Sequence, residues 1–185
     1  MIFSWCSRVR AQVVLFSSLR CDEFLSYFFG PGVRGSFTLW LFMWDILKYF
    51  ERHGIVRCRW GGAIVIGFSP YHLFDLDRMS WLTRLAIGIC PSSIRKRWKE
   101  AYPFKNFMPR YPCVSIVYLG VLRRKRTSGV ATRLVRDFAL VHKLPIIAET
   151  GSSLMVEIMT SWGFQCQESA KLGNGHNVHL LVRQL

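Results

Sequence analysis

The sequence predicts a layered α/β (α+β) domain, and three observations carry that prediction. The first third of the chain places apolar residues at helical spacing. Two runs rich in β-branched residues then flank a Gly-Gly pair. From Val114 onward, strand and helix patterns alternate. With 185 residues, 51% of them apolar and 19% charged, the chain suits one domain over 1–185 with its own core, and disorder is excluded.

Val9 to Leu19 and Thr38 to Arg52 read as helices, with Gly30-Pro31-Gly32 as the break between them. Gly54, just past His53, is the expected C-terminal stop of the second. Ile55 to Trp60 and Ala63 to Phe68 flank Gly61-Gly62, the pattern of a hairpin with a two-glycine turn, and Ser69-Pro70 ends it. Trp81 to Cys90 reads as a helix and Ser92 to Ala101 as a basic one. Tyr102 to Pro112 holds three prolines and reads as a crossing loop. Val114 to Val121 is β-branched and aromatic, the signature of a central strand. After it, Val130, Leu134, Val135, Phe138, Ala139 and Val141 fall on one helical face. A short strand from Pro145 through Ala148, a helix from Ser153 to Trp162, and strands Phe164 to Glu168 and Val178 to Arg183 complete the chain.

Twenty-five Lys and Arg against eleven Asp and Glu give a formal charge of +14, which calls for an anionic partner. The most apolar stretch, Ser36 to Phe50, is broken by Asp45 and Lys48 and falls short of the roughly 20 apolar residues a membrane span needs, so no transmembrane span is expected. Arg8 and Arg10 before Ala11 to Leu19 imitate a signal peptide. Arg20, Cys21, Asp22 and Glu23 follow without a small-x-small cleavage site, so this run reads as the first helix. The six cysteines form no CxxC pair and no His lies at zinc-finger spacing from them. They read as free, mostly buried thiols of a cytoplasmic protein, and no metal site is expected.

The informative stretch runs from Tyr118 to Val135. A strand enters the basic loop Arg123-Arg124-Lys125-Arg126-Thr127-Ser128-Gly129, and the loop opens directly into a helix. A helix start offers unpaired backbone N–H groups and a partial positive charge, which suit a phosphate. Gly129 allows close backbone approach and Ala131 keeps the surface low. Neither a Walker A loop nor a GxGxxG motif is present.

The run Arg126-Thr-Ser-Gly129-Val-Ala131 resembles the (Gln/Arg)-x-x-Gly-x-(Gly/Ala) signature of the GNAT superfamily of acyl-CoA N-acyltransferases. Val121 stands where that family has its strand-ending Val. Leu144 to Thr150 looks like its fifth strand, and Trp162-Gly163-Phe164 looks like its terminal Gly-Phe. Gly62 to Pro70 and Ala101-Tyr102-Pro103 resemble segments of a bacterial subgroup. The resemblance implies a mixed, mostly antiparallel central sheet flanked by helices on both faces, and an N-acetyltransferase that uses acetyl-CoA as co-substrate. It further implies that Arg126, Thr127, Ser128, Gly129, Val130 and Ala131 hold the CoA pyrophosphate. The strand end Leu119, Gly120 and Val121 would hydrogen-bond the pantetheine arm in a gap between splayed strands, and a backbone N–H there would polarise the acyl carbonyl. An amine acceptor attacks directly, so no nucleophilic Ser or Cys is required.

Three positions depart from the family pattern. Met159 stands where a Tyr usually protonates the leaving thiolate, and Met donates no proton. Ser152 stands where Asn is frequent, as a shorter substitute on the cofactor side. Thr127 replaces a common Gly. Glu149, ending the fifth-strand segment, is the candidate catalytic base, with a solvent-facing Glu as the bland alternative. Tyr118 is a candidate for the acceptor site or for packing. His176 and His179, a pair without a third ligand, read as structural or surface residues. The rival readings are a CoA binder without turnover and a basic nucleic-acid module built on Arg95-Lys96-Arg97-Trp98-Lys99 and Arg123 to Arg126. No nucleic-acid motif accompanies those clusters, which argues against nucleic acid. The aromatic-rich first 50 residues are candidates for a homodimer interface.

Overall fold

Residues 5–20, 25–26, 29–30, 32–68, 79–89, 112–172 and 175–184 are described by a computed structural model. The helices are α1 (Trp5–Leu19), α2 (Gly32–His53), α3 (Trp81–Ile89), α4 (Val130–His142) and α5 (Ser153–Ser161). The strands are β1 (Gly54–Arg59), β2 (Gly62–Phe68), β3 (Val114–Val121), β4 (Ile146–Thr150), β5 (Gln165–Lys171) and β6 (Asn177–Arg183). They form one sheet in the order β1-β2-β3-β4-β6-β5, antiparallel throughout except for the β3–β4 pair. This is the mixed, mostly antiparallel sheet that the family resemblance implies.

Strand alternation sends successive side chains to opposite faces. Ala63 and Val65 of β2 meet Ala11, Leu15, Phe42 and Met43 of α1 and α2. Ile64 and Ile66 of the same strand, with Val114, Ile116 and Ala148, meet Val130, Leu134 and Phe138 of α4 and Met159 of α5. Helices therefore cover both faces. Over the other half of the sheet, Ile147, Leu180 and Val182 make a third cluster with Cys113 and Leu172.

Polar contacts lock the helical layer. Arg8 of α1 grips Glu51 of α2 through both guanidinium edges, with Nε donating to Oε1 at 2.8 Å and Nη2 to Oε2, and its charge lies over the Trp44 ring. The buried Asp45 carboxylate accepts from the Ser80 backbone N–H at 2.9 Å, the Ser80 hydroxyl at 2.9 Å and the Thr83 hydroxyl at 2.6 Å, which fixes the start of α3 on α2. Among the described residues no helix is long and apolar enough to cross a membrane.

Several boundaries differ from the sequence reading. The hairpin turn is Trp60-Gly61, not Gly61-Gly62, because Arg59 pairs with Gly62 inside the ladder. Gly62 is needed under α4: a Cβ there would stand 2.5 Å from a Val130 methyl and 2.8 Å from a Leu134 methyl. Gly54 is not a left-handed cap either. It opens β1 directly, where a Cβ would meet the Ile66 carbonyl oxygen at 2.2 Å. The second helix starts at Gly32 rather than Thr38, and the first reaches back to Trp5. Of the described cysteines Cys113 alone is buried, Cys6 and Cys166 are exposed and Cys58 lies between, so these four thiols are not mostly buried; Cys21 and Cys90 lie outside the described residues. The basic helix at 92–101, the loop at 102–111 with its Ala101-Tyr102-Pro103 segment, and the Arg95 to Lys99 cluster lie outside the described residues.

Candidate functional site

Two local features open the sheet. Val65 faces Tyr118 and Ile66 faces Ile116, so Val117 is an extra residue bulged out of β3. Such a bulge bends its strand. At the same level the parallel ladder stops: β3 and β4 pair only at Val114–Ile146, Ser115–Ile147 and Ile116–Ala148. Beyond the bulge β3 follows β2 to the Gly62–Val121 pair, while β4 continues along β6 through Thr150. Leu119, Gly120 and Val121 thus have β2 on one edge and, among the described residues, no strand on the other. Gly120 faces α1, where Leu15 and Ser18 press close enough that a Cβ would have 3.1–3.2 Å contacts.

The chain leaves β3 through a 3₁₀ turn, Arg123–Lys125, and enters α4 from Gly129, which holds a left-handed φ of 68°. The turn uses some of its own donors. Arg126 N–H donates to Arg123 O at 3.4 Å, and Ser128 donates through N–H at 3.2 Å and Oγ–H at 2.7 Å to Lys125 O. The first-turn N–H groups of Val130 and Ala131 are in a different position. A helix supplies no acceptor to them, and no side chain caps α4. Arg123, Arg124, Lys125 and Arg126 are all exposed, and no carboxylate among the described residues pairs with them. A bare helix start, a positive dipole end and four cations therefore converge beside the opening.

No known family profile matches the sequence, and no curated protein does. Solved structures do match its fold. A structure described as histone acetyltransferase HPA2 and related acetyltransferase, from Corynebacterium glutamicum, aligns at 15% identity over 98% of this chain and 92% of that one, with a TM-score of 0.71. The chain has the fold of the GNAT acetyltransferases. Arylalkylamine N-acetyltransferase 2 from Aedes aegypti shares that fold at 14% identity, over 96% of this chain and 95% of the other, with a TM-score of 0.54. The C-terminal condensation domain of Ebony, solved with β-alanyl-dopamine, aligns at 11% identity over 96% and 94% of the two chains, with a TM-score of 0.63.

Within this GNAT fold the remaining candidate residues fall into place unevenly. Glu149 lies on β4 just past the last β3–β4 pair. It alternates with Ala148, which faces α4, so it sits on the opposite face of the sheet from the basic loop. Ser152 is the N-cap of α5: its Oγ accepts from Met155 N–H at 3.4 Å, and its hydroxyl hydrogen has no acceptor among the described residues. Met159 is 4% exposed and packs with Phe164 and Phe138, so the position of the usual acid belongs to the core here. Thr127 does not adopt a positive φ, and the exchange of Gly for Thr costs no backbone strain. His179 Nδ1 lies 2.7 Å from Ser169 Oγ, and the His176 carbonyl accepts from Leu172 N–H. No group of three metal-ligating side chains occurs among the described residues.

Sequence reasoning missed two things at this site. The bulge at Val117 leaves no local signature, since it is defined only by the partner strand. The Arg59-Trp60 tip, beside the loop, was hidden by the Gly-Gly pair that follows it.

Proposed function

We propose that this chain is an acyl-CoA-dependent N-acyltransferase that moves an acetyl group from acetyl-CoA to an amine by direct attack. The observation that carries the reading is the coincidence of the β3–β4 opening with the uncapped, cation-flanked start of α4 at its rim. Backbone N–H groups of Val130 and Ala131, with Gly129 allowing close approach, hold the pyrophosphate, and Arg126, Thr127 and Ser128 line it. The open edge of Leu119, Gly120 and Val121 pairs with the pantetheine amides as a neighbouring strand would, and the Ser152 hydroxyl donates across the opening. A β3 N–H polarises the thioester carbonyl.

The acceptor enters from the other face, where Glu149 stands. The amine nitrogen bonds to the thioester carbon, the C–S bond breaks, and the CoA sulfur takes the electron pair. The proton lost by the amine passes to Glu149 or to water. Met159 supplies no proton to the sulfur, so CoA leaves as its thiolate. A general acid is typically worth about 10²–10⁴-fold, so turnover is slow rather than absent. That same residue favours one second reading, a CoA binder without turnover.

The test is release of free CoA thiol from acetyl-CoA across a panel of arylalkylamines, polyamines and peptide N-termini. Amine-dependent release that falls in Glu149→Gln supports the transferase. Saturable acetyl-CoA binding with no release on any amine selects the second reading.

A further inference from the structure

Trp60 occupies a position that suits it poorly. It is the first central residue of a two-residue hairpin turn, with φ at +55°, followed by Gly61 at +83°. Turns of this kind take Asn, Asp or Gly there, and a bulky side chain at positive φ is an outlier. The ring gains no place in the core in return. It is 49% exposed and belongs to none of the apolar clusters. Among the described residues its ring lies against the Arg59 guanidinium, 6.0 Å from the ring centroid.

The location of this pair is informative. Val56 and Cys58 of β1 face α1 and α2, so Arg57 and Arg59 alternate onto the face that carries α4. Arg59 pairs with Gly62, the residue on which Val130 and Leu134 of α4 rest. The turn is also tied to the basic loop itself. Leu122 N–H donates to Gly61 O at 2.9 Å, and the Lys125 side chain passes so near Gly61 that a Cβ there would be 3.3 Å from its Cγ. An exposed guanidinium thus stands on the face that carries the uncapped helix start, with the half-exposed indole against it, and the turn that holds both is hydrogen-bonded to Leu122, the residue that leads into the basic loop.

An aromatic ring held beside a cluster of cations suits a base attached to phosphates. The ring stacks on the π-face of the base, and the guanidinium pairs with a phosphate oxygen. We propose that the Arg59-Trp60 tip is the adenosine subsite of the cofactor site, with Trp60 stacking on adenine and Arg59 holding the ribose 3′-phosphate. This rests on the CoA reading above and adds to it the residues that select the nucleotide end.

The experiment is calorimetric titration of wild type, Trp60→Asn and Arg59→Ala with acetyl-CoA, acetyl-dephospho-CoA and S-acetyl-4′-phosphopantetheine. Asn suits the turn, so Trp60→Asn folds and melts no lower than wild type. Trp60→Asn is expected to weaken acetyl-CoA and acetyl-dephospho-CoA about tenfold and to leave the phosphopantetheine unchanged. Arg59→Ala is expected to weaken acetyl-CoA alone. Unchanged acetyl-CoA affinity in Trp60→Asn, or an equal loss for all three ligands, overturns the subsite while the CoA reading stands. If wild type binds none of the three, the CoA reading itself fails and the subsite with it.

Discussion

Replacing Gly62 by Ala tests how the sheet positions the start of α4. The added Cβ would lie 2.5 Å from Val130 Cγ1 and 2.8 Å from Leu134 Cδ1, against 3.4–4 Å for ordinary contact. Helix and strand must therefore separate by about 1 Å, because Val130 is β-branched with little rotamer freedom in a helix and both side chains are buried. Overpacking of this kind costs about 2 kcal/mol. For a chain of this size that lowers the melting temperature by about 4–8 °C. The shift also moves the Val130 and Ala131 N–H groups, so acetyl-CoA affinity should drop about tenfold in the same variant. Thermal melts of Gly62→Ala, Val130→Ala and the double variant separate the cause, since removing the Val130 methyls relieves the clash. The double variant should lose clearly less than the sum of the singles. A Gly62→Ala protein that melts with wild type, or strict additivity in the cycle, would refute the packing argument.

Three further outcomes follow from the structure. Asp45→Ala leaves the Ser80 N–H and two hydroxyls without their buried acceptor and should cost about 3 kcal/mol in urea titrations, with Asp45→Asn losing less; a loss under about 0.5 kcal/mol contradicts the assignment. Ser152→Ala removes the α5 cap and should cost about 1 kcal/mol by the same titration, whereas an unchanged midpoint means the cap contributes nothing. Burial pushes the Cys58 thiol above its ordinary value despite the opposing charge of Arg10, so less of it is thiolate at neutral pH. Alkylation of Cys58 should therefore reach half its maximal rate at higher pH in the native protein than in urea, where the burial is lost; an unchanged profile in urea would count against it.

The parts of this fold that are legible in the sequence are those set by one element alone. Val114 to Val121 forms the strand that its β-branched run predicts, and α4 begins at Val130, where the helical period begins. Errors arise where a residue answers to a distant neighbour. Gly61-Gly62 looks like a turn because each Gly could serve one, yet Gly62 is small to make room for α4 and the turn slips back onto Trp60. Gly54 looks like a helix stop but is small to let Phe50 and the Ile66 carbonyl approach. The same holds at the site. The loop of Arg123 to Gly129 is visible as a charge run before a helix. The opening beside it depends on the Val117 bulge and on a ladder of three pairs, which only the assembled sheet defines.

The central claim is that the opening between β3 and β4 and the start of α4 together bind acetyl-CoA. A thermal melt of the wild-type protein with acetyl-CoA, beside a short DNA duplex as a polyanion control, tests it most directly. At about 100 times its dissociation constant a specific ligand stabilises by roughly 2.7 kcal/mol, or about 5–10 °C here. The account predicts that rise with acetyl-CoA and none with the duplex at physiological salt. No rise with acetyl-CoA, or an equal rise with DNA, would contradict it.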